Sequence, residues 1–335
     1  MKKILNNPVD YVDEMLDGLC LAHPEHYAQP APRVIARPGG AISGKVGIVT
    51  GGGSGHLPIF TGYVGKGLLD AAAIGDVFSS PSAEQMAESM RQANGGAGVL
   101  RLYGNYGGDV MNFDMAGEML EMEDVESTTV LLADDVVSAP PEEAEKRRGV
   151  AGMVYAFKCA GAKAEEMADL AEVTRVAQKT ADSCRSIRMA LTPCTVPQAG
   201  KPTFEIGEEE MEMGMGIHGE PGIWRDKLKP ADEITDEITD EMIDRLLADM
   251  PLSSGDRISI LVNSLGATPP EELYIMYRHA KARLDDAGVS ILMPLVGRYG
   301  TSMEMTGATI TICKLDDELE ALLHAPADCA FWRVG

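Results

Sequence analysis

Apolar residues recur along this chain with two different spacings. Between residues 9 and 22, Val9, Val12, Leu16, Leu19 and Leu21 fall at helical intervals among acidic neighbours, which predicts an amphipathic helix. Lys45-Val46-Gly47-Ile48-Val49-Thr50 is a short apolar run rich in β-branched residues, the signature of a buried strand. Gly98 to Tyr103 and Thr128 to Ala133 read as two more strands, with a helix from Met111 to Met122 between them. Ser82 followed by Gln85 makes a capping box for a helix from Ala83. Ala151 to Gln178 reads as a helical region broken near Gly161. Strand and helix in alternation predict a mostly parallel sheet covered by helices.

The texture changes at Thr180 to Ser186, where a domain boundary is expected, giving domains 1–184 and 185–335. Ile187 to Leu191 and Thr203 to Ile206 read as strands. Met211, Met213 and Met215 alternate with the period of a strand. From 230 to 250, Ile234, Ile238, Met242, Ile243, Leu246 and Leu247 stand among acidic residues, an amphipathic helix. Ile258 to Val262, Val289 to Leu295 and Ala308 to Leu315 are strands, with a helix over Pro270 to Ala287. The expected fold is two α/β domains, each with a central mostly parallel or mixed sheet covered by helices.

Charge narrows the possible partners. The 335 residues carry a net charge of −23, which repels a nucleic acid backbone or an anionic membrane. No apolar run approaches the ~20 residues that span a bilayer, and no apolar segment follows Lys2 and Lys3 as a signal peptide requires. A soluble, cytoplasmic chain is expected. The six cysteines are scattered, with no CxxC pair, and read as buried free thiols of a reducing compartment. His23 and His26 lack a second ligand pair and read as surface histidines, so no metal site is expected.

The chemistry-bearing pieces are rich in glycine. Gly51-Gly52-Gly53-Ser54-Gly55-His56 follows the first strand. Bare backbone there allows N–H groups to approach an oxygen-rich ligand, and His56 can carry protons near neutral pH. Gly104-Asn105-Tyr106-Gly107-Gly108-Asp109 and Asn112 follow another strand, where ligands of open α/β sheets bind. A helix N-cap is the competing reading of Asp109. His218 lies in the turn Ile217-His218-Gly219-Glu220-Pro221-Gly222, and a structural role competes for it. The glycine loop fails the dinucleotide and nucleophile-elbow patterns because His56 stands where each needs glycine, and no P-loop is present.

Taken in order, Gly51 to His56 with Pro58, Phe78-x-Ser80-Pro81, Asn105-Tyr106-x-Gly108-Asp109-x-x-Asn112-Phe113, Arg147-Arg148-Gly149, Cys194-Thr195-Val196-Pro197, Gly216 to Gly222 and Asn263 to Thr268 resemble the dihydroxyacetone kinase K-subunit family. The resemblance covers nearly the whole chain. It implies a homodimer that binds dihydroxyacetone or a similar short ketose, held on His218 as a covalent hemiaminal. It also implies His56 as proton shuttle, Asp109 as the base that accepts the proton of the attacking hydroxyl, and Gly53, Ser54, Gly55 and Gly104 as substrate-binding positions. The chain itself would bind no cofactor. ATP or ADP with Mg2+ is expected on a separate L-type subunit, fed by ATP or by a phosphotransferase relay.

Two positions depart from that pattern. Gly104 stands where the resemblance leads to expect Lys, and Leu57 where it leads to expect Glu. Loss of the lysine would remove a donor and open volume. The sequence Tyr103-Gly104-Asn105-Tyr106 resembles the branch acting on four-carbon ketoses such as erythrulose, which is the alternative substrate. A non-catalytic, ketose-sensing regulatory paralogue is the alternative of another class.

Overall fold

A computed structural model describes residues 2–227 and 231–335, the side chains of 231–235 excepted. The expected helix start at 230 and the side chain of Ile234 lie outside the described residues. In chain order the first half holds α1 (Tyr11–Ala22), β1 (Ala28–Ala31), β2 (Val34–Ala36), β3 (Gly47–Ser54), β4 (Ala71–Val77), α2 (Ala83–Ala93), β5 (Val99–Gly104), α3 (Gly107–Glu121), β6 (Ser127–Leu132), α4 (Gly152–Glu165) and α5 (Leu170–Asp182). Then follow β7 (Cys184–Ala190), β8 (Glu210–Met213), β9 (Trp224–Lys227), α6 (Ala231–Asp249), β10 (Arg257–Ser264), α7 (Pro270–Asp286), β11 (Ser290–Gly297), β12 (Gly307–Leu315), α8 (Asp317–His324) and the short pair β13 (Ala327–Asp328) and β14 (Arg333–Val334).

The strands form two six-stranded sheets, ordered β1-β2-β4-β3-β5-β6 and β11-β10-β12-β7-β8-β9. In the first, β3 pairs in parallel with β4 and β5, and β5 with β6. In the second, only β10 and β11 run parallel, and the other pairings are antiparallel. This is the expected α/β class, with the first sheet mostly parallel and the second mixed. Among the described residues no helix is long and apolar enough to cross a membrane.

Helix α4 lies between the sheets, against β3 and β5 of one and β7 and β12 of the other. Its residues from Gly152 to Ala162 are all buried, as expected of a helix apolar on every side. One core joins Leu16 of α1, Tyr63, Phe157 of α4 and Leu261 of β10 to Leu319, Leu322 and Trp332 beyond the second sheet. The chain therefore returns, after completing its second sheet, to pack on its first half. Lys158 of α4, also buried, donates to the Leu322 carbonyl at 2.6 Å. Burial pushes its amine down to about 8.

Two expectations need correction, and one strand, β4, lay outside the expectations. The helical region 151–178 breaks between Glu165 and Leu170, not at Gly161. A Cβ on Gly161 would come within 2.5 Å of the Gly67 carbonyl group, so that glycine marks close packing rather than a break. Thr203 to Ile206 forms no strand. β4 carries few β-branched residues, and its Ala71-Ala72-Ala73 run lacks the strand preference that would reveal it.

A buried ion pair also links the halves. Arg147, 1% exposed, grips Asp249 at the end of α6 through both terminal nitrogens, Nη1 donating at 2.9 Å. Arg185 donates to the same carboxylate. Asp249→Ala leaves the Arg147 guanidinium buried and unpaired. The variant should lose about 3–5 kcal/mol of stability, read from the midpoint of urea unfolding.

Candidate functional site

The glycine run is a strand, not a loop: β3 extends through Ser54, and only Gly55, with φ +101°, turns the chain. The missing side chains make room for protein. A Cβ on Gly52 would lie 2.1 Å from Cζ of Phe60, and one on Gly53 would lie 2.8 Å from Cα of Phe78. The expected cradle therefore shrinks to the end of the strand at Gly53 to Gly55, where His56 follows. That ring is 2% exposed and stacks on Phe78 with centroids 4.8 Å apart. Its Nδ1 lies 2.7 Å from the Thr301 carbonyl oxygen. A carbonyl only accepts, so Nδ1 carries the proton and Nε2 the lone pair. Nε2 is buried and has no partner. Burial first, and then the charge of His218, hold the imidazole well below its ordinary pKa, so His56 is neutral and accepting at Nε2.

The second half supplies the turn that holds His56. Asn263 of β10 accepts from the backbone N–H groups of Tyr299 and Gly300 and donates to the Gly300 carbonyl at 2.7 Å. This fixes the turn that presents Thr301. From the same turn, Ser302 donates to the Ile217 carbonyl at 2.8 Å and so anchors the segment bearing His218. His218 Nδ1 lies 3.1 Å from Glu220 Oε1, and its backbone N–H donates to Oε2 at 2.9 Å. Gly216 has no Cβ because one would meet Glu220 Oε2 at 2.0 Å. Burial opposes the Glu220 charge, yet the hydrogen bonds from His218 prevail and hold the carboxyl down at about 2. Glu220 is thus ionised and accepts the Nδ1 proton, which in the neutral ring leaves the lone pair of His218 on Nε2. The rings of His56 and His218 are 5.1 Å apart, although 161 positions separate them in sequence.

Asp109 stands in the first turn of α3, whose N-cap is Tyr106 with no side-chain bond. It is therefore not the cap. Its carboxyl is 7% exposed and Oδ1 has no partner. Burial raises it to about 6, against opposing contributions from a Ser80 hydrogen bond and the charge of His218. Asn112, one turn on, donates to the Pro81 carbonyl at 2.7 Å and fixes the loop that carries Ser80. Gly104 ends β5. Its missing side chain opens no volume, because a Cβ there would stand 3.1 Å from the Tyr106 ring. Tyr106 in turn meets His218 edge-on, with ring centroids 5.1 Å apart.

The structure thus gathers His56, Asp109, His218 and the ends of β3 and β5 at one place between the two sheets. Sequence reasoning did not single out Glu220, Tyr106 and Phe78 as site groups, although all three lay inside motifs it had quoted. Thr301 and Arg188 carried no local signal and are found only through contacts. The pair His23 and His26 does come together with Glu25, their ligand atoms within 4.8 Å of one another. His26 also lies 3.5 Å from Asp328.

The raised carboxyl of Asp109 has a measurable consequence. Its folded value, about 6, lies above its ordinary 3.8, so the charged form is the less favoured one in the folded state. The cost is absent below pH ~4, grows through the interval and is complete above pH ~6. Asp109→Asn should therefore be more stable than the natural protein at pH 8 and lose that advantage by pH 4, as read by thermal melting across pH. An advantage independent of pH would show that the carboxyl is not raised.

Known proteins resemble this chain over nearly its whole length. The Dak1 domain family matches residues 17–331. The chain is 42% identical, over 99% of its length and the whole length of the relative, to the dihydroxyacetone-binding subunit DhaK of PTS-dependent dihydroxyacetone kinase 1 from Listeria innocua. It is 41% identical to the D-erythrulose kinase of Mycolicibacterium smegmatis, matching all of this chain and 57% of that one. Among solved structures, the dihydroxyacetone kinase of C. freundii with AMP-PNP and Mg2+ superposes with a TM-score of 0.90 at 30% identity, covering 99% of this chain and 61% of that one.

Proposed function

This chain belongs to the Dak1 domain family, and we propose that it is the ketose-binding subunit of a dihydroxyacetone kinase, holding its substrate covalently on His218. The observation that carries the proposal is the tautomer of His218. Glu220 accepts from Nδ1, so Nε2 offers its lone pair beside the other groups of the site, and a neutral imidazole nitrogen can add to a ketone. The Nε2 lone pair forms a bond to the carbonyl carbon while the C=O π pair moves onto oxygen. One proton leaves Nδ1 and one reaches that oxygen. The net step is addition of N–H across C=O, with nothing lost. Glycerol has similar hydroxyls but no carbonyl, so it cannot take part.

The remaining groups then have distinct tasks. Neutral His56, held from behind by Thr301, accepts hydrogen bonds from the ketose at Nε2 and relays the proton. Asp109, raised to about 6, is a carboxylate at neutral pH but a stronger base than an exposed one. It takes the proton of the terminal hydroxyl as that oxygen attacks phosphorus. The phosphoryl group would come from ATP, or from a relay through nucleotide and Mg2+, on an L-type partner. The packed glycines of β3, filled by Phe60 and Phe78, leave the strand itself no phosphate cradle. Residues 53 to 55 and 104 border the substrate in this arrangement, and a homodimer with chain segments 1–184 and 185–335 as its domains is part of the proposal.

Native mass spectrometry tests the bond. The chain should gain the full mass of dihydroxyacetone, with no loss of water, and gain nothing from glycerol. His218→Asn should abolish the gain. Asp109→Asn should keep the adduct and lose roughly 10²–10⁴-fold in phosphoryl transfer when donor and partner are supplied. Adduct formation by His218→Asn would overturn the assignment.

A four-carbon ketose is the second reading. It is favoured by Gly104 in place of a basic donor, and by the 41% identity to a D-erythrulose kinase. Titrating the adduct with dihydroxyacetone and with each erythrulose enantiomer decides it, since a clear preference for the three-carbon ketose removes the second reading.

A further inference from the structure

Arg188 is a buried cation whose Nε and Nη1 find no acceptor among the described residues. It is 3% exposed. Burying a guanidinium this way costs several kcal/mol, and buried polar groups of native proteins nearly always have partners. Asp135 and Glu220, the carboxylates that act on it, are each engaged elsewhere. Asp135 is held by Arg148 at 2.9 Å, and Glu220 receives His218.

Alternation along β7 shows where this side chain belongs. Ile187 and Met189 enter the core shared with α6 and α7, so Ser186, Arg188 and Ala190 lie on the opposite face. On that face Ser186 bonds Asp134, and Ala190 packs with Met215 and Phe78. Phe78 is the ring that stacks on His56. The backbone carbonyl of Arg188 accepts from Gly214 at 2.7 Å, at the root of the segment carrying His218. The Tyr106 hydroxyl is a second buried polar atom without a partner. It belongs to the ring that packs edge-on to His218, and it and Arg188 act on each other electrostatically.

From this juxtaposition we infer that Arg188, with the Tyr106 hydroxyl beside it, is the donor that receives the ketose oxygen as His218 adds to the carbonyl. The inference rests on the proposed adduct at His218. When Nε2 bonds to the carbonyl carbon, the π pair gathers on oxygen before a proton arrives. A preorganised cation in a dry site stabilises such charge far better than water would. The same cation disfavours a positive charge on the imidazole of His56. It would supply the donor that Gly104 lacks, from the other half of the molecule.

Arg188→Gln keeps a polar group of shorter reach, and the Gly214 bond is made by the backbone, so the loop anchor survives. The variant should form the dihydroxyacetone adduct roughly ten- to a hundredfold more weakly by native mass spectrometry, with its melting temperature followed in parallel. Tyr106→Phe should lose less, about two- to tenfold. A measurement on the natural protein guards against misfolding of the variants. In ¹⁵N-arginine-labelled protein, a buried Nε–H resonance should shift with dihydroxyacetone and stay put with glycerol. An adduct of unchanged affinity in Arg188→Gln, or the absence of any such resonance shift, overturns the inference while the adduct on His218 stands. Failure of the natural protein to form an adduct with any ketose overturns both.

Discussion

The exchange of hydrogen bonds between the end of β3 and the turn after β11 holds the site together. His56 gives its Nδ1 proton to Thr301, Met303 returns a backbone N–H to the Gly55 carbonyl at 2.8 Å, and the Thr301 hydroxyl donates to Leu57 at 3.0 Å. Each of these crosses from one half of the chain to the other. Without them His56 would have neither a fixed tautomer nor a fixed distance to His218. The Asn263 amide, two bonds removed, has no chemistry of its own but sets the turn on which the exchange depends.

Both histidines are specified by the same physical device. Each has its Nδ1 occupied by an acceptor, a carbonyl for His56 and a carboxylate for His218. Each therefore turns a lone pair toward the site. The difference in acceptor separates their roles. A neutral carbonyl leaves the buried His56 ring uncharged, whereas an ionised Glu220 could support the positive ring that the proposed addition would create at His218. Asp109 completes the set, because its burial outweighs the opposing contacts and raises its basicity.

Much of this was legible beforehand, for reasons that can be named. Strands such as β3, β10 and β12 announce themselves through β-branched residues, and α2 through Ser82 and Gln85, whose capping box is present. His56, Asp109 and His218 could be picked out because glycine-rich turns at strand ends surround them. That His56 and Asp109 meet could be expected because both follow strands of one open sheet, whereas the approach of His218 could be inferred only from the family resemblance, since no local pattern encodes a contact across 161 residues. Ala-rich β4 stayed hidden, as did the true purpose of Gly52 and Gly53, because propensity does not report which aromatic ring will press on a strand. Arg188 looked like any strand arginine, and its significance lies wholly in what fails to pair with it.

The late return of α8 and Trp332 to the first core bears on how the chain is made. A ribosome releases the first sheet well before it releases the residues that seal it. Until then Tyr63, whose ring meets Trp332 edge-on, lacks part of its native packing. The return also fastens the halves against wide separation. A ligand should therefore enter and leave by displacement of loops, not by the two halves swinging apart.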